Sequence, residues 1–184
     1  GGTKMKKKKQ KEEKTLKLNL ASGDNPVEGF LNVDIAKLPT VDKVVNLEKF
    51  PWPWKDGSVD EVTCSHYVEH TIDLIAFMNE LYRILKPGAK ATIVCPYYNS
   101  MRCWQDPTHK RAISEASMMY FNKGWRVLNK LEHYGIIADF DFSYSYAMDP
   151  IWAQKSEDAR NFAIRHYMNV VNDIQFSLTK REPE

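Results

Sequence analysis

Several things are scarce in this 184-residue chain, and each scarcity excludes something. The three cysteines, Cys64, Cys95 and Cys103, are too few and too scattered for a disulfide framework or a paired C-x-x-C metal knuckle. Cys64 and Cys95 lie inside apolar runs and read as buried thiols, so a reducing, cytoplasmic compartment is expected. No stretch approaches 18 apolar residues, and no apolar run follows the N-terminal lysines, so neither a membrane span nor a secretory leader is expected. There are no internal repeats. Excess charge is also missing: 26 Lys and Arg stand against 24 Asp and Glu, for a net charge of +2. Residues 1–14 hold seven Lys and two Glu, or +5, so the other 170 residues sum to −3. A body this near neutral argues against a strongly basic nucleic-acid saddle and leaves small ligands open.

What is present suits one folded domain. With 43% hydrophobic residues the chain has too much apolar content for disorder, and its length fits a single core. Residues 1–14 read as a basic, solvated arm, with Gly1-Gly2 as a cleavage scar and Met5 as the native start, and residues 15–184 as the domain. Thr15 to Leu20 alternates and runs into Ala21-Ser22-Gly23-Asp24-Asn25-Pro26, a strand entering a tight loop. Phe30 to Ile35 and Lys43 to Leu47 are two further short strands. Only about nine residues separate Ala21 from Phe30, too few for a full crossover helix, so any helix there is a stub.

Pro51-Trp52-Pro53-Trp54 makes a rigid aromatic connection to a fourth strand, Val59 to Ser65. Thr71 or Asp73 caps a helix whose apolar positions, Leu74 to Leu85, recur at helical spacing until Lys86-Pro87-Gly88 stops it. The nearly all-apolar run Ala89 to Cys95 predicts a fifth strand covered on both faces. Beyond it come two helical stretches, Ser114 to Met119 and Arg126 to Tyr134, with a turn at Asn122-Lys123-Gly124. Ile136 to Tyr146 reads as a long strand, Glu157 to Arg165 as a short helix, and His166 to Thr179 as a last strand. Alternating strands and helices in the first half predict an α/β fold with a mostly parallel sheet, and the last two strands an antiparallel pair at one edge. Ligands of such sheets bind beyond the carboxyl ends of the strands. That rule selects Ala21 to Pro26, Asp34, Asn46 to Lys49, Ser65 to His70 and Pro96 to His109.

Small residues after the first strand let the backbone approach a ligand, and Gly23 is free to take a positive φ. Thirteen residues after Ala21, Asp34 ends the second strand with a carboxylate where a nucleoside ribose would sit. The dinucleotide fingerprint G-x-G-x-x-G is absent, and no helix N-terminus obviously serves a pyrophosphate. A nucleoside without phosphates is therefore the expected cofactor.

Leu18-Asn19-Leu20-Ala21-Ser22-Gly23, followed by Gly29-Phe30-Leu31-Asn32-Val33-Asp34-Ile35, resembles the opening of the small class I S-adenosylmethionine-dependent methyltransferases. Phe50-Pro51-Trp52, Asp56-Gly57-Ser58-Val59-Asp60-Glu61-Val62, Ser65-His66-Tyr67-Val68-Glu69-His70 and Leu81-Tyr82-Arg83-Ile84-Leu85-Lys86-Pro87-Gly88-Ala89 extend the resemblance. It covers about residues 16–96, roughly 45% of the chain. The resemblance implies a Rossmann-like sheet of order 3-2-1-4-5-7-6 with an antiparallel strand seven, and S-adenosylmethionine as cofactor, leaving as S-adenosylhomocysteine. It places Leu20, Ala21, Ser22 and Gly23 beside the methionine portion, Asp34 on the ribose hydroxyls and Ile35 on the adenine. Asn46, Leu47 and Glu48 fall at the adenine end, and Ser65 and His66 close the floor near the sulfonium. Two departures stand out: Ala21 replaces the usual glycine, at a cost of about 1 kcal/mol if its φ is positive, and Asn46 stands where Asp is frequent.

Asp106-Pro107-Thr108-His109 resembles a substrate-side element of related small methyltransferases. In it Asp106 either orients the His109 ring, leaving the far nitrogen to accept a substrate proton, or forms a structural pair. His66 joins them as a catalytic candidate. Tyr97, Tyr98 and Trp104 either line an acceptor pocket, stack on a base, or pack on the core. His66-Tyr67-Val68-Glu69-His70 has the H-x-x-E-H spacing of inverted zinc peptidases, but it sits at a strand-to-helix junction with no evident third-ligand motif. No metal is expected; His70 reads as a residue of the helix start and Glu69 as an acceptor for backbone amides. Cys103 has no identifiable activating base, and methyl transfer needs no nucleophile. The expected acceptor is a small molecule or a sugar or peptide group. A nucleic-acid acceptor is supported by the basic arm alone, and a fold kept only for binding or scaffolding by the Ala21 departure.

Overall fold

The computed structural model describes residues 15–182, so the basic arm, the Gly1-Gly2 scar and Met5 lie outside the described residues. Seven strands form one sheet: β1 (Lys17–Leu20), β2 (Leu31–Asp34), β3 (Lys43–Val44), β4 (Val59–Ser65), β5 (Leu85–Pro96), β6 (Phe140–Met148) and β7 (Val171–Lys180). Their order is β3-β2-β1-β4-β5-β7-β6. β1 pairs in parallel with β2 and β4, and β4 with β5, whereas β7 runs antiparallel to both β5 and β6. The expected sheet order and the antiparallel C-terminal strands are both present.

The helices depart from expectation. Among the described residues no helix lies between β1 and β4; turns make all three crossovers. These segments are short and carry Pro26, Gly29, Pro39, Pro51 and Pro53, which deny a helix its length and its backbone donors. Strand–helix alternation therefore begins only at α1 (Leu74–Ile84).

Asp73 caps α1, its side chain accepting from Ala76 N at 2.9 Å. The α1 stripe Phe77, Met78, Leu81 and Ile84 is buried with Leu18, Leu20, Val62, Ile93 and Phe176, and each such side chain contributes about 1.5–3 kcal/mol. Lys86-Pro87-Gly88 ends no helix at a distance: β5 starts at Leu85, and the β4–β5 register shifts between Val59 and Glu61 to absorb these residues.

Trp52 and Trp54 are buried although their loop is irregular. Arg83 staples that loop, donating to the Trp54 carbonyl at 2.9 Å and the Trp52 carbonyl at 3.2 Å while pairing with Glu80 and Asp56 at 2.6 Å each. Beyond β5 lie α2 (Met101–Trp104), a 3-10 turn (Glu115–Phe121), α3 (Lys123–Leu128), α4 (Pro150–Ala153) and α5 (Glu157–His166). Asn122 starts α3 as its cap, accepting from Trp125 N at 2.9 Å, where the sequence predicts a turn. The helix expected as far as Tyr134 stops early, at Leu128 with Asn129 as its cap, before left-handed Lys130.

Candidate functional site

The carboxyl ends of the parallel strands β1, β2, β4 and β5 share one edge, and the loops leaving them build the site. After β1 the backbone turns sharply at Ala21 (φ 54°) and Gly23 (φ 50°). Ala21 thus takes the costly left-handed conformation in place of a glycine. Ser22 N donates to the Val33 carbonyl at 2.9 Å, fastening the loop to β2. Asp34 completes the joint: its Oδ2 accepts from Gly23 N at 2.9 Å and its Oδ1 from Ala36 N at 2.8 Å. Each oxygen of an ionised carboxylate keeps a further lone pair, so Asp34 is aimed by the backbone and still able to accept hydroxyl donors. A second brace lies behind it, where Asn19 Nδ2 donates to Asn32 Oδ1 at 3.0 Å and Asn32 Nδ2 to Asp42 Oδ2 at 3.0 Å.

Ala21, Asp34, Ile35, Val45, Asn46, Leu47, Glu48, Tyr67, His70, Ile72, Pro107, Thr108 and Lys110 line a cavity of about 470 Å³. A mostly apolar wall that carries Asp34 and Glu48 fits a nucleoside, which would set its base in the slot and its ribose hydroxyls at Asp34. Ser22 Oγ is buried with no partner among the described residues, an orphaned polar atom in the loop that would face the methionine portion. The wall is itself braced. Glu48 accepts from the Tyr67 hydroxyl at 2.7 Å and from Ile72 N, and Asn46 Oδ1 accepts from Glu48 N at 2.9 Å. Burial and the Glu48 carboxylate push the Tyr67 phenol well above its ordinary range, so it stays a donor.

The other half of the site is polar and less settled. Lys110 N donates to the Glu69 carbonyl at 2.7 Å, joining the segment after β5 to the segment after β4. Arg111 fixes the same joint: its guanidinium donates to the carbonyls of Val68, Thr71 and Ile72. His70 and His109 consequently meet edge to face, with ring centroids 4.7 Å apart. His109 Nδ1 faces the Cys103 carbonyl at 2.8 Å, and His70 Nδ1 faces Thr108 Oγ1 at 3.0 Å. His66 sits at a left-handed φ of 54°, its Nδ1 3.4 Å from Glu69 Oε1 and its Nε2 3.9 Å from Asp173 Oδ2. The Glu69 carboxylate raises the His66 pKa against the opposing effect of burial.

Several expected roles change. Asp106 does not orient His109: its Oδ2 stands 3.8 Å from His109 Nε2, and Oδ1 is taken by Thr108 N and Oγ1 at 2.8 and 2.7 Å. Those Thr108 bonds hold the Asp106 carboxyl below its usual range. Tyr97 is buried in the core between Tyr98 and Tyr146, so it lines no acceptor pocket. Tyr98 and Trp104 are exposed, tied by a 3.0 Å bond from Trp104 Nε1 to the Tyr98 carbonyl. Leu20 is fully buried and offers a ligand only its backbone.

Glu69 accepts from no backbone amide; among the described residues neither of its oxygens has a hydrogen-bond partner. His70 lies before α1, not within it, and its ring serves the site. Burial pushes the thiols of Cys64, Cys95 and Cys103 up, which removes Cys103 as a nucleophile. Tyr67, Ile72, Thr108 and Lys110 are lining residues that sequence reasoning missed as ligand contacts. Tyr67 and Thr108 lie inside two segments already singled out, Ser65 to His70 and Asp106 to His109, and Ile72 and Lys110 lie just beyond them.

Residues 25–93 match the family model described as a methyltransferase domain. No curated protein matches the sequence. A solved S-adenosylmethionine-dependent methyltransferase from Archaeoglobus fulgidus is similar at a TM-score of 0.57 and 17% identity, over 82% of this chain and 76% of that one. A putative methyltransferase of Haloferax volcanii, solved with the Trm112 methyltransferase activator, gives 0.56 and 15% over 94% and 85% of the two chains. YcgJ of Bacillus subtilis gives 0.54 and 15% over 93% and 94%. At these identities the structures speak to the fold alone. The strand order gives this chain the class I methyltransferase fold, and residues 25–93 carry its sequence similarity to the methyltransferase domain.

Proposed function

We propose that the domain transfers a methyl group to a small molecule, or to a sugar or peptide group, that enters beside His70, Trp104 and His109. The observation behind this reading is the position of His70 and Thr108. Both line the cavity suited to a nucleoside, and both touch the polar cluster of Asp106 and His109 outside it. S-adenosylmethionine supplies a methyl carbon already activated by its sulfonium. The chain's own work is then alignment and exclusion of water.

Asp34, held by Gly23 N and Ala36 N, fixes the ribose end. Ile35, Val45 and Leu47 offer apolar surface to the base, and Asn46 and Glu48 border it. Ala21, Ser22 and Gly23 bring the backbone close to the methionine portion, and Ser65 and His66 follow at the end of β4, outside the lining of that cavity. Tyr98 and Trp104 give the acceptor an exposed aromatic shelf. His109 donates through Nδ1 to the Cys103 carbonyl, which leaves Nε2 with a lone pair that takes a proton or a cation on the acceptor side.

The test is a calorimetric titration with S-adenosylhomocysteine, followed by radiolabelled methyl transfer from S-adenosylmethionine to pooled small acceptors, glycans and peptides. Saturable one-to-one binding and label in one of those pools are expected. Absence of saturable binding would leave only a scaffold, and label entering RNA or DNA alone would replace the acceptor class.

A further inference from the structure

At the edge of the cofactor cavity, three side chains of metal-ligating type converge from two separate loops. One ligand atom each from Glu69, His70 and His109 lies within 4.8 Å of the other two. Glu69 is only 1% exposed, and neither carboxylate oxygen has a hydrogen-bond partner among the described residues. His66 Nδ1 stands 3.4 Å from Glu69 Oε1, without hydrogen-bond geometry. A buried carboxylate without donors is strongly unfavourable unless a positive charge joins it.

The neighbouring hydrogen bonds fix what the two imidazoles present. A carbonyl only accepts, so His109 Nδ1, 2.8 Å from the Cys103 oxygen, carries the hydrogen. Thr108 Oγ1 donates its single proton to Asp106 Oδ1 at 2.7 Å, so at the 3.0 Å contact with His70 the ring Nδ1 must be the donor. In both neutral rings Nε2 is then a lone pair. Each ring is oriented through Nδ1, which leaves Nε2 as the nitrogen able to ligate, as in metal-bound histidines. The H-x-x-E-H run lacks a third ligand in sequence; the fold supplies it, because Lys110 N and Arg111 hold the segment carrying His109 against residues 68–72.

We propose that Glu69, His70 and His109 bind one divalent transition-metal ion on the acceptor side of the cofactor cavity. Two imidazoles and one carboxylate suit Zn²⁺ or Mn²⁺ better than Ca²⁺, which takes all-oxygen shells. Three protein ligands leave a coordination position open. The three ligands border a hollow of about 180 Å³ that His66, Arg102 and Asp106 also line. Resting on the methyl-transfer reading, the ion would hold an acceptor oxygen or nitrogen there.

Metal binding is measured without cofactor or acceptor, on chelator-treated protein carrying no histidine tag. Zn²⁺ calorimetry should give one ion per chain with a dissociation constant of about 10 µM or tighter, and Co²⁺ should show visible absorption of a low-coordinate site. His109→Ala and His70→Ala should each weaken binding by about 10²-fold or more. Thr108→Val keeps every ligand but frees the His70 ring, and should weaken it by about tenfold. His166→Ala, far from the cluster in sequence, should change nothing. Circular dichroism checks that each variant folds, and Glu69→Gln replaces any alanine variant that does not. No saturable Zn²⁺ or Co²⁺ binding, or unchanged affinity in the folded ligand variants, would overturn the site. Metal binding beside absent S-adenosylhomocysteine binding would instead count against the cofactor reading alone.

Discussion

Asp34 and Glu69 are both carboxylates at the carboxyl edge of the same parallel strands, and the chain treats them oppositely. Asp34 ends β2 half-exposed, with each oxygen already accepting a backbone N–H. Glu69, in the turn after β4, is almost fully buried and accepts from nothing among the described residues. One half of the site is therefore braced before a ligand arrives, through Val33, Asn32 and Tyr67, with Ser22 Oγ its one buried side-chain atom left without a partner among the described residues. The other half holds polar groups whose hydrogen bonds are left to be completed. Preorganisation on the cofactor side keeps the cost of binding low, while incompleteness on the acceptor side is what a bound cation or substrate would relieve.

Breaking the acceptor half alone should have the largest effect. His109→Gln keeps a polar side chain but loses the imidazole lone pair, and should lower methyl-transfer turnover by about 10²-fold or more. Affinity for S-adenosylhomocysteine should move by less than about threefold, because the cofactor half does not lean on His109. Both quantities are to be read on one preparation. A matching collapse in cofactor affinity would mean that the two halves form a single unit.

The converse variant, Asp34→Ala, should weaken S-adenosylhomocysteine at least about tenfold, the loss of one charge-assisted bond or more. Calorimetry on the folded variant decides it. Asp34→Asn separates charge from shape: its oxygen still accepts from Gly23 N, so an intermediate loss assigns the remainder to the negative charge. Wild-type affinity in Asp34→Ala would take the ribose away from this acid.

The two halves also differ in how far the sequence announced them. Ala21-Ser22-Gly23 and Asp34 lie within one short β-turn-β stretch, so their meeting follows from strand periodicity and turn chemistry alone. Glu69 and His109 belong to different loops, and only the β4–β5 pairing with the Arg111 staple brings them together. No local pattern encodes that. Local pattern also misled at Tyr97, whose aromatic neighbours suggest a binding loop although its ring completes the core beside Tyr146. The missing crossover helices were half legible. Pro26 and Gly29 limited the first to a stub, but β3 shrank to Lys43–Val44 because an exposed edge strand gains little from pairing.

A smaller perturbation asks how much strain the braced half stores. Ala21 holds φ 54°, which costs an L-residue about 1–2 kcal/mol. Ala21→Gly removes that strain but adds unfolded-chain entropy of about 0.4–1 kcal/mol, so a net gain of roughly 0.5 kcal/mol is expected. In thermal melts that is an upward shift of about 1–2 °C. S-adenosylhomocysteine should bind as tightly or slightly tighter. A loss of stability would show that the Ala21 methyl packs usefully against Leu20 or Val33 and that the departure from glycine is an adaptation.

The smallest effect should come from a carboxylate satisfied like Asp34 but placed near the start of β4, away from the loops of the site. Asp60 Oδ2 accepts from Leu16 N and Oδ1 from Lys86 Nζ, both at 2.7 Å. The Lys86 bond first, then the Leu16 amide, hold its pKa below the ordinary carboxylate value. A carboxylate depressed in the folded state contributes stability that is fully present above its unfolded pKa, near 3.9, and is lost as pH falls through the lower folded value. Because the group is close to solvent, the contribution is that of a surface pair, about 0.2–1 kcal/mol. Asp60→Asn should therefore lower the melting temperature at pH 7 by about 2 °C or less, and the gap should close as pH falls below about 4. It should narrow with added salt as well. Affinity for S-adenosylhomocysteine should stay at the wild-type value at every pH. If the cofactor constant followed Asp60 instead, the bracing of Asp34 would extend through β1 to the far end of the sheet, and the braced half would be a property of the whole sheet and not of its carboxyl edge.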